Sequence, residues 1–243
     1  MSLTKWSILV EMKHGIIRKN LGMTPATPLE SPLPDRSKPT IRSAKEQLIL
    51  DAAEKVFAEL GFKGATTSEI ALRAGIPKAN LHYYFPTKEA LYRAVTENVL
   101  TAWLAAASSF DVNDDPAEAL AAYIGAKMDM ARTDPLGSKI WASEIMRGAP
   151  VIEDFLHTTL ATWLASREAI IQSWIDKGLI VPMQPRYLIY LIWAATQHYA
   201  DFDHQITALN GSAPLDDTAF TTAKTQLITT LLRGVLNVAK SDT

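Results

Sequence analysis

GATTSEIALRAGIPKANLHYYFPTKEALYRAV, residues 64–95, is the stretch from which the rest of the chain is read. Thr66 and Glu69 stand at capping-box spacing and open a short helix. Ala71, four residues before Gly75, is small enough to let two helices approach, and the glycine can take the left-handed turn between them. Pro77 opens the next helix, where a first-turn proline is tolerated. Thr87, just after Pro86, caps a fourth helix that runs through Trp103 to about Ser108. The spacing predicts a helix-turn-helix with a longer helix leaving it.

The second short helix carries His82, Tyr83, Tyr84 and Phe85 in succession. On a wheel of about 100° per residue, Leu81 and Phe85 define the buried side. Ala79, Asn80 and Tyr83 point away from it, His82 and Tyr84 flank it, and Lys78 sits in the first turn. Short polar side chains near base edges, with hydroxyls and ammoniums reaching phosphates, are what a major-groove helix needs. The alternative is a surface aromatic cluster packed on another helix of the same chain; the helix-turn spacing upstream favours the groove. The DNA-facing set is then Arg42, Thr66, Thr67, Lys78, Ala79, Asn80, His82, Tyr83, Tyr84 and Lys88. Lys88 and the Tyr83 hydroxyl are expected on phosphate, and Asn80 or Lys78 on base edges.

This stretch, from Ala53 to Val95, resembles the DNA-binding domain of the TetR family of repressors. It departs from that pattern at Pro77, where a capping serine is common, and at "LHYYF", where "LYYHF" is usual. Two later segments, "RGAPVIEDFL" (147–156) and "YLIWAATQHYADF" (190–202), are similar to a pyrimidine-responsive subgroup of the family, and the likeness spans nearly all of 43–240. The resemblance implies an all-helical homodimer on double-stranded operator DNA, with a small-molecule effector such as uracil or thymine and no cofactor.

Bulk composition agrees with a two-part chain. Residues 36–100 hold ten Lys and Arg against seven Asp and Glu, whereas residues 101–243 hold ten against sixteen. A basic front half on an acidic back half suits a nucleic-acid module joined to something else. The 243 residues contain no cysteine, which removes disulfides and thiolate metal sites. No apolar run is long enough to span a bilayer, and "WSILV" near the N-terminus is too short for a signal core, so the expected compartment is the cytoplasm with no membrane partner. Zinc-protease, nucleophile-elbow and phosphate-loop motifs are lacking, so neither catalytic residues nor metal ligands are assigned.

Residues 1–42 are broken by Pro25, Pro28, Pro32, Pro34 and Pro39 and read as a disordered basic, Pro-rich leader, either solvated or lying along phosphates. Residues 43–90 form the helix-turn-helix domain. In them Ile49, Ala52, Ala53, Val56, Phe57 and Leu60 repeat with helical period, and Gly61 supplies a stop. Residues 91–243 form a helical bundle for ligand binding and dimerisation, with helices near 115–132, 135–147, 150–177, 185–208 and 216–239. The fold class is all-α.

In the bundle, Trp193 and Gln197 lie at i, i+4 and share a helix face inside an otherwise apolar run. A buried amide must be satisfied by backbone, water or ligand. Beside a tryptophan it suits a flat heterocycle with adjacent N–H and C=O groups, although a bond to a neighbouring helix would serve equally. Trp103, Met128, Met146 and Trp174, from four other helices, are core residues or apolar walls of the same cavity. His198 and Asp201, at i, i+3, read as a structural pair. The last helix has a broad apolar face (Phe220, Leu227, Ile228, Leu231, Leu232, Val235, Leu236) whose surplus suggests dimerisation through the last two helices and a palindromic operator.

Overall fold

The structure is a computed structural model, and it describes residues 41–112 and 114–237. Nearly all of the leader, residues 1–40, lies outside them, as do residues 238 and 239 of the last expected helix. The described chain is helical throughout: α1 (Ile41–Gly64), α2 (Thr67–Arg73), α3 (Lys78–Tyr84), α4 (Lys88–Ala106), α5 (Pro116–Thr133) and α6 (Pro135–Met146) come first. The chain that follows winds through Glu153–Phe155, a π-helical turn Leu156–Leu160 and Ala161–Asp176, together α7. α8 (Pro185–Asp201) and α9 (Asp217–Val235) complete the bundle, with short helical turns at Ser109–Val112 and Asp203–Leu209. The only β-pairing among the described residues is an antiparallel bridge, Ile180 to Leu236, where the Val181 amide donates to the Val235 carbonyl at 2.9 Å.

Local chemistry sets the boundaries. Thr66 caps α2 by accepting from the Glu69 amide at 3.1 Å, and Thr87 caps α4 by accepting from the Ala90 amide at 3.0 Å. Gly75 takes φ 67° in the turn, a conformation that disfavours any residue with a Cβ. Three expectations shift. Gly61, at φ 66°, kinks α1 but does not end it; a last turn continues to Gly64. Pro77 is the cap residue of α3 rather than its first helical residue. The helix expected over 185–208 breaks at Phe202.

The first core gathers Ile49, Val56 and Phe57 of α1, Ile70 of α2, and Leu81 and Phe85 around α3. Leu60, expected among them, is 48 % exposed. Leu91, Tyr92 and Val95 of α4 and Ile140 of α6 complete this core, so the helix-turn-helix unit is packed onto residues beyond 90. Trp141, next to Ile140, belongs to a different cluster with Val99, Leu100 and Ile152. Neighbouring residues of α6 thus face the two halves of the molecule.

Gly137 marks how close α6 comes. A Cβ there would lie 2.8 Å from Cγ2 of Val99 and 3.1 Å from Oε1 of Glu54. Only hydrogen fits between α6 and the two helices, α1 and α4, that carry the reading unit.

Candidate functional site

On α3, Leu81 and Phe85 are buried, Tyr84 is half-buried, and Lys78, Ala79, Asn80, His82 and Tyr83 are exposed. Tyr83 is 72 % exposed and stands edge-on to Tyr84, with ring centroids 5.3 Å apart. The Arg42 guanidinium, in the first turn of α1, lies 6.0 Å from the Tyr83 ring, so the end of the leader reaches the same surface as α3. His82 Nδ1 donates to the Pro86 carbonyl at 3.3 Å, which fixes the ring against the end of α3. Thr66 is occupied as a cap and Thr67 is half-buried behind it. Arg73 pairs with Glu69 at 2.9 Å and Glu59 at 2.6 Å, tying α2 to α1.

Lys88 has a first duty other than phosphate contact. Its ammonium donates to the Phe62 carbonyl at 2.8 Å and the Ala65 carbonyl at 3.0 Å, over the Phe62 ring at 4.5 Å. It satisfies carbonyls left open at the end of α1, where a cation also meets the negative end of the helix dipole. An ammonium has three donors, so one remains beyond these two bonds.

Two arginines join the reading unit to the bundle. Arg93 of α4 grips Asp154 with Nη1 at 2.9 Å and Nη2 at 2.5 Å, and stacks over Phe155 at 4.8 Å. That guanidinium holds the Asp154 carboxyl below its ordinary range. Arg147 donates to the Tyr92 hydroxyl at 3.0 Å and to the fully buried Glu144 at 2.6 Å. The other Glu144 oxygen accepts the Val151 amide at 2.7 Å, bracing a turn in which Gly148 and Ala149 both take positive φ. This is the "RGAPV" segment singled out from the sequence.

Further along the bundle is a small cavity of about 40 Å³, below the usual range of small-molecule sites, so a ligand of several heavy atoms enters only if its walls move apart. Trp103, Trp141, Trp163 and Trp193 form its aromatic wall, and Tyr123, Lys127 and Gln197 are its polar lining. Trp103, Lys127 and Gln197 also bound an adjoining recess with Asp134 and Ser138. The Trp193 indole donates to the Tyr123 hydroxyl at 2.8 Å, so Trp193 offers only its ring to the cavity. Trp163 stacks on Trp193 at 6.0 Å. Gln197 makes no hydrogen bond to protein among the described residues.

Of the residues expected to line a cavity, the structure brings Trp103, Trp193 and Gln197 together. It does not bring the other three. Met128 is fully buried within the packed interior, outside the lining. Trp174 is 2 % exposed and stacks on Phe110 at 5.5 Å, in the core of α5 and α7–α9. Met146, the last residue of α6, is 82 % exposed because its position on the final turn faces away from every neighbour. His198 is exposed and stacks on Phe202 at 5.1 Å, while Asp201 accepts from Ser138, so they do not pair with each other.

Sequence reasoning missed Lys127. It is 3 % exposed, with its ammonium 3.8 Å from the centroid of the Trp103 ring. It has no hydrogen-bond or ion-pair partner among the described residues. Burial pushes its pKa down to about 7, opposed by the field of Asp201. The available signal was position: Lys127 lies four residues from both Tyr123 and Ala131, on the stripe that α5 buries.

Comparison with known proteins agrees with this arrangement. Residues 49–95 match the profile for bacterial regulatory proteins of the tetR family, and residues 96–238 match the YcdC-like C-terminal region of TetR-type proteins. Over 193 residues the chain is 38 % identical to the HTH-type transcriptional regulator RutR of Escherichia coli K12, covering 79 % of this chain and 91 % of that one. It is 24 % identical over 161 residues to the regulator EthR of Mycolicibacterium smegmatis, covering 64 % of this chain and 72 % of the relative. The ketosteroid transcriptional regulator KstR2 of Mycobacterium tuberculosis shares the fold, with a TM-score of 0.66 at 19 % identity over 82 % of this chain and 98 % of that one. The chain belongs to the TetR family: it is a ligand-responsive DNA-binding transcriptional regulator and not an enzyme. No helix among the described residues is long and apolar enough to cross a membrane.

Proposed function

We propose that the chain is a repressor that binds a palindromic operator as a homodimer and leaves it when a pyrimidine such as uracil or thymine fills the tryptophan-walled cavity. The observation that carries this reading is Gln197. Its amide borders the cavity beside Trp193 and forms no bond to protein, so the helix-tying role open to it in the sequence is not used. A carboxamide offers one donor and one acceptor side by side, and an imide ring offers the complementary C=O and N–H. The indole walls supply the stacking area that a flat ring needs.

Dimerisation through the last two helices rests mainly on α8. Tyr187, Tyr190, Leu191 and Phe202 are exposed along or just beyond it. On α9, Phe220, Leu231 and Val235 are buried within the subunit and Leu227, Ile228, Leu232 and Leu236 half-buried, so much of its apolar face is used at home. Two α3 helices related by a two-fold axis then read two half-sites about one DNA turn apart.

The effector works as a population shift: it must bind better to the dimer whose α3 helices are wrongly spaced than to the DNA-competent one. The test is operator binding followed by fluorescence anisotropy, with light scattering for the dimer, while uracil and thymine are added. Loss of operator binding at saturating pyrimidine supports the reading. A protein that stays on its operator at every pyrimidine concentration, or is tightened on it, contradicts the proposed release.

A further inference from the structure

Lys127 is out of place in a protein interior. A buried ammonium with no hydrogen-bond acceptor and no ion pair is a net cost to the fold. Only the Trp103 ring compensates it directly. The charged groups facing it are Asp201 of α8, beyond ion-pair distance, and Asp134 at the end of α5, across the adjoining recess. Lys139 of α6 is occupied with Asp203 at 2.7 Å. Asp201 itself accepts from the Ser138 hydroxyl at 2.5 Å.

The polar lining is unbalanced in the same sense. Lys127 can only donate. The Tyr123 hydroxyl accepts from Trp193 and has its own hydrogen left to give, with no protein acceptor among the described residues. Gln197 supplies one donor group and a carbonyl acceptor that no protein donor fills among the described residues. A ligand that completes this cavity brings more acceptors than donors, and oxygen is the acceptor an ammonium prefers.

We propose that Lys127 is the specificity-determining residue of the cavity: its ammonium takes an exocyclic oxygen of a planar, oxygen-rich ligand held against the tryptophans, and the ligand is bound together with a proton from solvent. This rests on the cavity being the effector site and adds what it selects. In the unliganded cavity Lys127 is largely neutral above pH 7, since burial depresses it. An oxygen acceptor placed on it restores the charged form, so binding draws a proton onto Nζ. Affinity therefore falls as pH rises from 7 toward the higher value of the bound state. Ligands whose facing oxygen carries more negative charge gain most.

The experiment is calorimetric titration of the full-length protein with uracil, thymine, barbiturate and benzoate at pH 6.0 and pH 8.5, each in two buffers of different ionisation enthalpy. Wild type and the variants Lys127→Met and Lys127→Gln are melted alongside. For the ligands that bind, wild type takes up roughly half to one proton per subunit at pH 8.5 and close to none at pH 6.0. Lys127→Met weakens them about ten- to a hundredfold, abolishes proton uptake and raises the melting temperature of the unliganded protein. Lys127→Gln, which keeps a donor without a titrating charge, retains part of the affinity with no uptake.

Binding that is indifferent to both substitutions and to pH overturns the proposal. So does a melting temperature lowered by several degrees in both variants with affinity unchanged, which would make Lys127 a structural residue. Failure of all four ligands overturns the ligand class. Lys127-dependent binding of barbiturate or benzoate with no response to uracil or thymine sustains this inference and removes uracil and thymine alone as effectors.

Discussion

Asp201 of α8 accepts a 2.5 Å hydrogen bond from the Ser138 hydroxyl of α6, and so ties the helix that carries Gln197 to the helix that packs on the DNA-reading unit. Gln197 is one turn before Asp201. Ile140, half a turn after Ser138, is buried in the reading unit's core. On the proposed function, a shift of α8 around an effector would reach α6 through this short, partly buried bond, and from α6 the base of α1 and α4. Burial raises the Asp201 carboxyl, and the Ser138 bond, with Lys127, Lys139 and His198, opposes that rise.

Removing the tie should uncouple the two halves. Ser138→Ala is expected to keep effector affinity within about threefold while raising the effector concentration needed to clear the operator by roughly tenfold, a coupling loss within the usual range of allosteric free energies. Calorimetry and operator anisotropy on the same preparation measure the two quantities. Equal changes in both would place Ser138 in ligand binding rather than in transmission.

Gly137→Ala tests the closeness of α6. The added methyl meets Val99 at 2.8 Å, and overpacking of this kind costs about 1–3 kcal/mol. A reduced melting temperature is expected, together with altered operator affinity in the absence of effector, because the displaced helix bears on α1 and α4. Unchanged stability would mean that the helices part freely at this point.

Lys88→Ala should destabilise the protein before any DNA is added. It strips the Phe62 and Ala65 carbonyls of a charged donor, a loss on the order of 2 kcal/mol. If the remaining donor reaches a phosphate, the salt dependence of operator binding, read on the folded fraction, also falls by about one unit. A full melting curve with no displacement would remove the capping role. By contrast, Asn80→Ala and Lys78→Ala should leave the melt unchanged and alter base preference by about 1–3 kcal/mol at one position.

The reading unit was legible because its signals are local. A capping threonine, a glycine that must turn left-handed and a Leu81–Phe85 stripe each act within one or two turns of helix. The cavity was only half legible. Trp193 and Gln197 share a face by spacing alone, and the structure keeps them on one wall. On α5 the sequence left Met128 as core or cavity wall; the structure buries it in the core, and the neighbouring Lys127, about 100° around the helix, borders the cavity. The α5 stripe of Tyr123, Lys127 and Ala131 marks Lys127 for burial, but the cavity it borders is made by the convergence of α4, α6 and α8, which no local pattern encodes. The carbonyl bonds of Lys88 were illegible for the same reason: their acceptors lie more than twenty residues earlier in the chain.

Gln197→Leu, titrated with uracil and assayed on the operator beside wild type, tests the central claim most directly. Leucine approximates the size of glutamine, and the amide has no protein partner to lose. The unliganded melting temperature should therefore stay within a few degrees and operator binding should persist. Uracil affinity should fall by roughly five- to a hundredfold, the loss for leaving a buried polar partner unpaired, and the variant should stay on DNA at uracil concentrations that release wild type. A variant that melts markedly lower yet binds uracil and leaves the operator like wild type would contradict the account, and would return Gln197 to a helix-tying role.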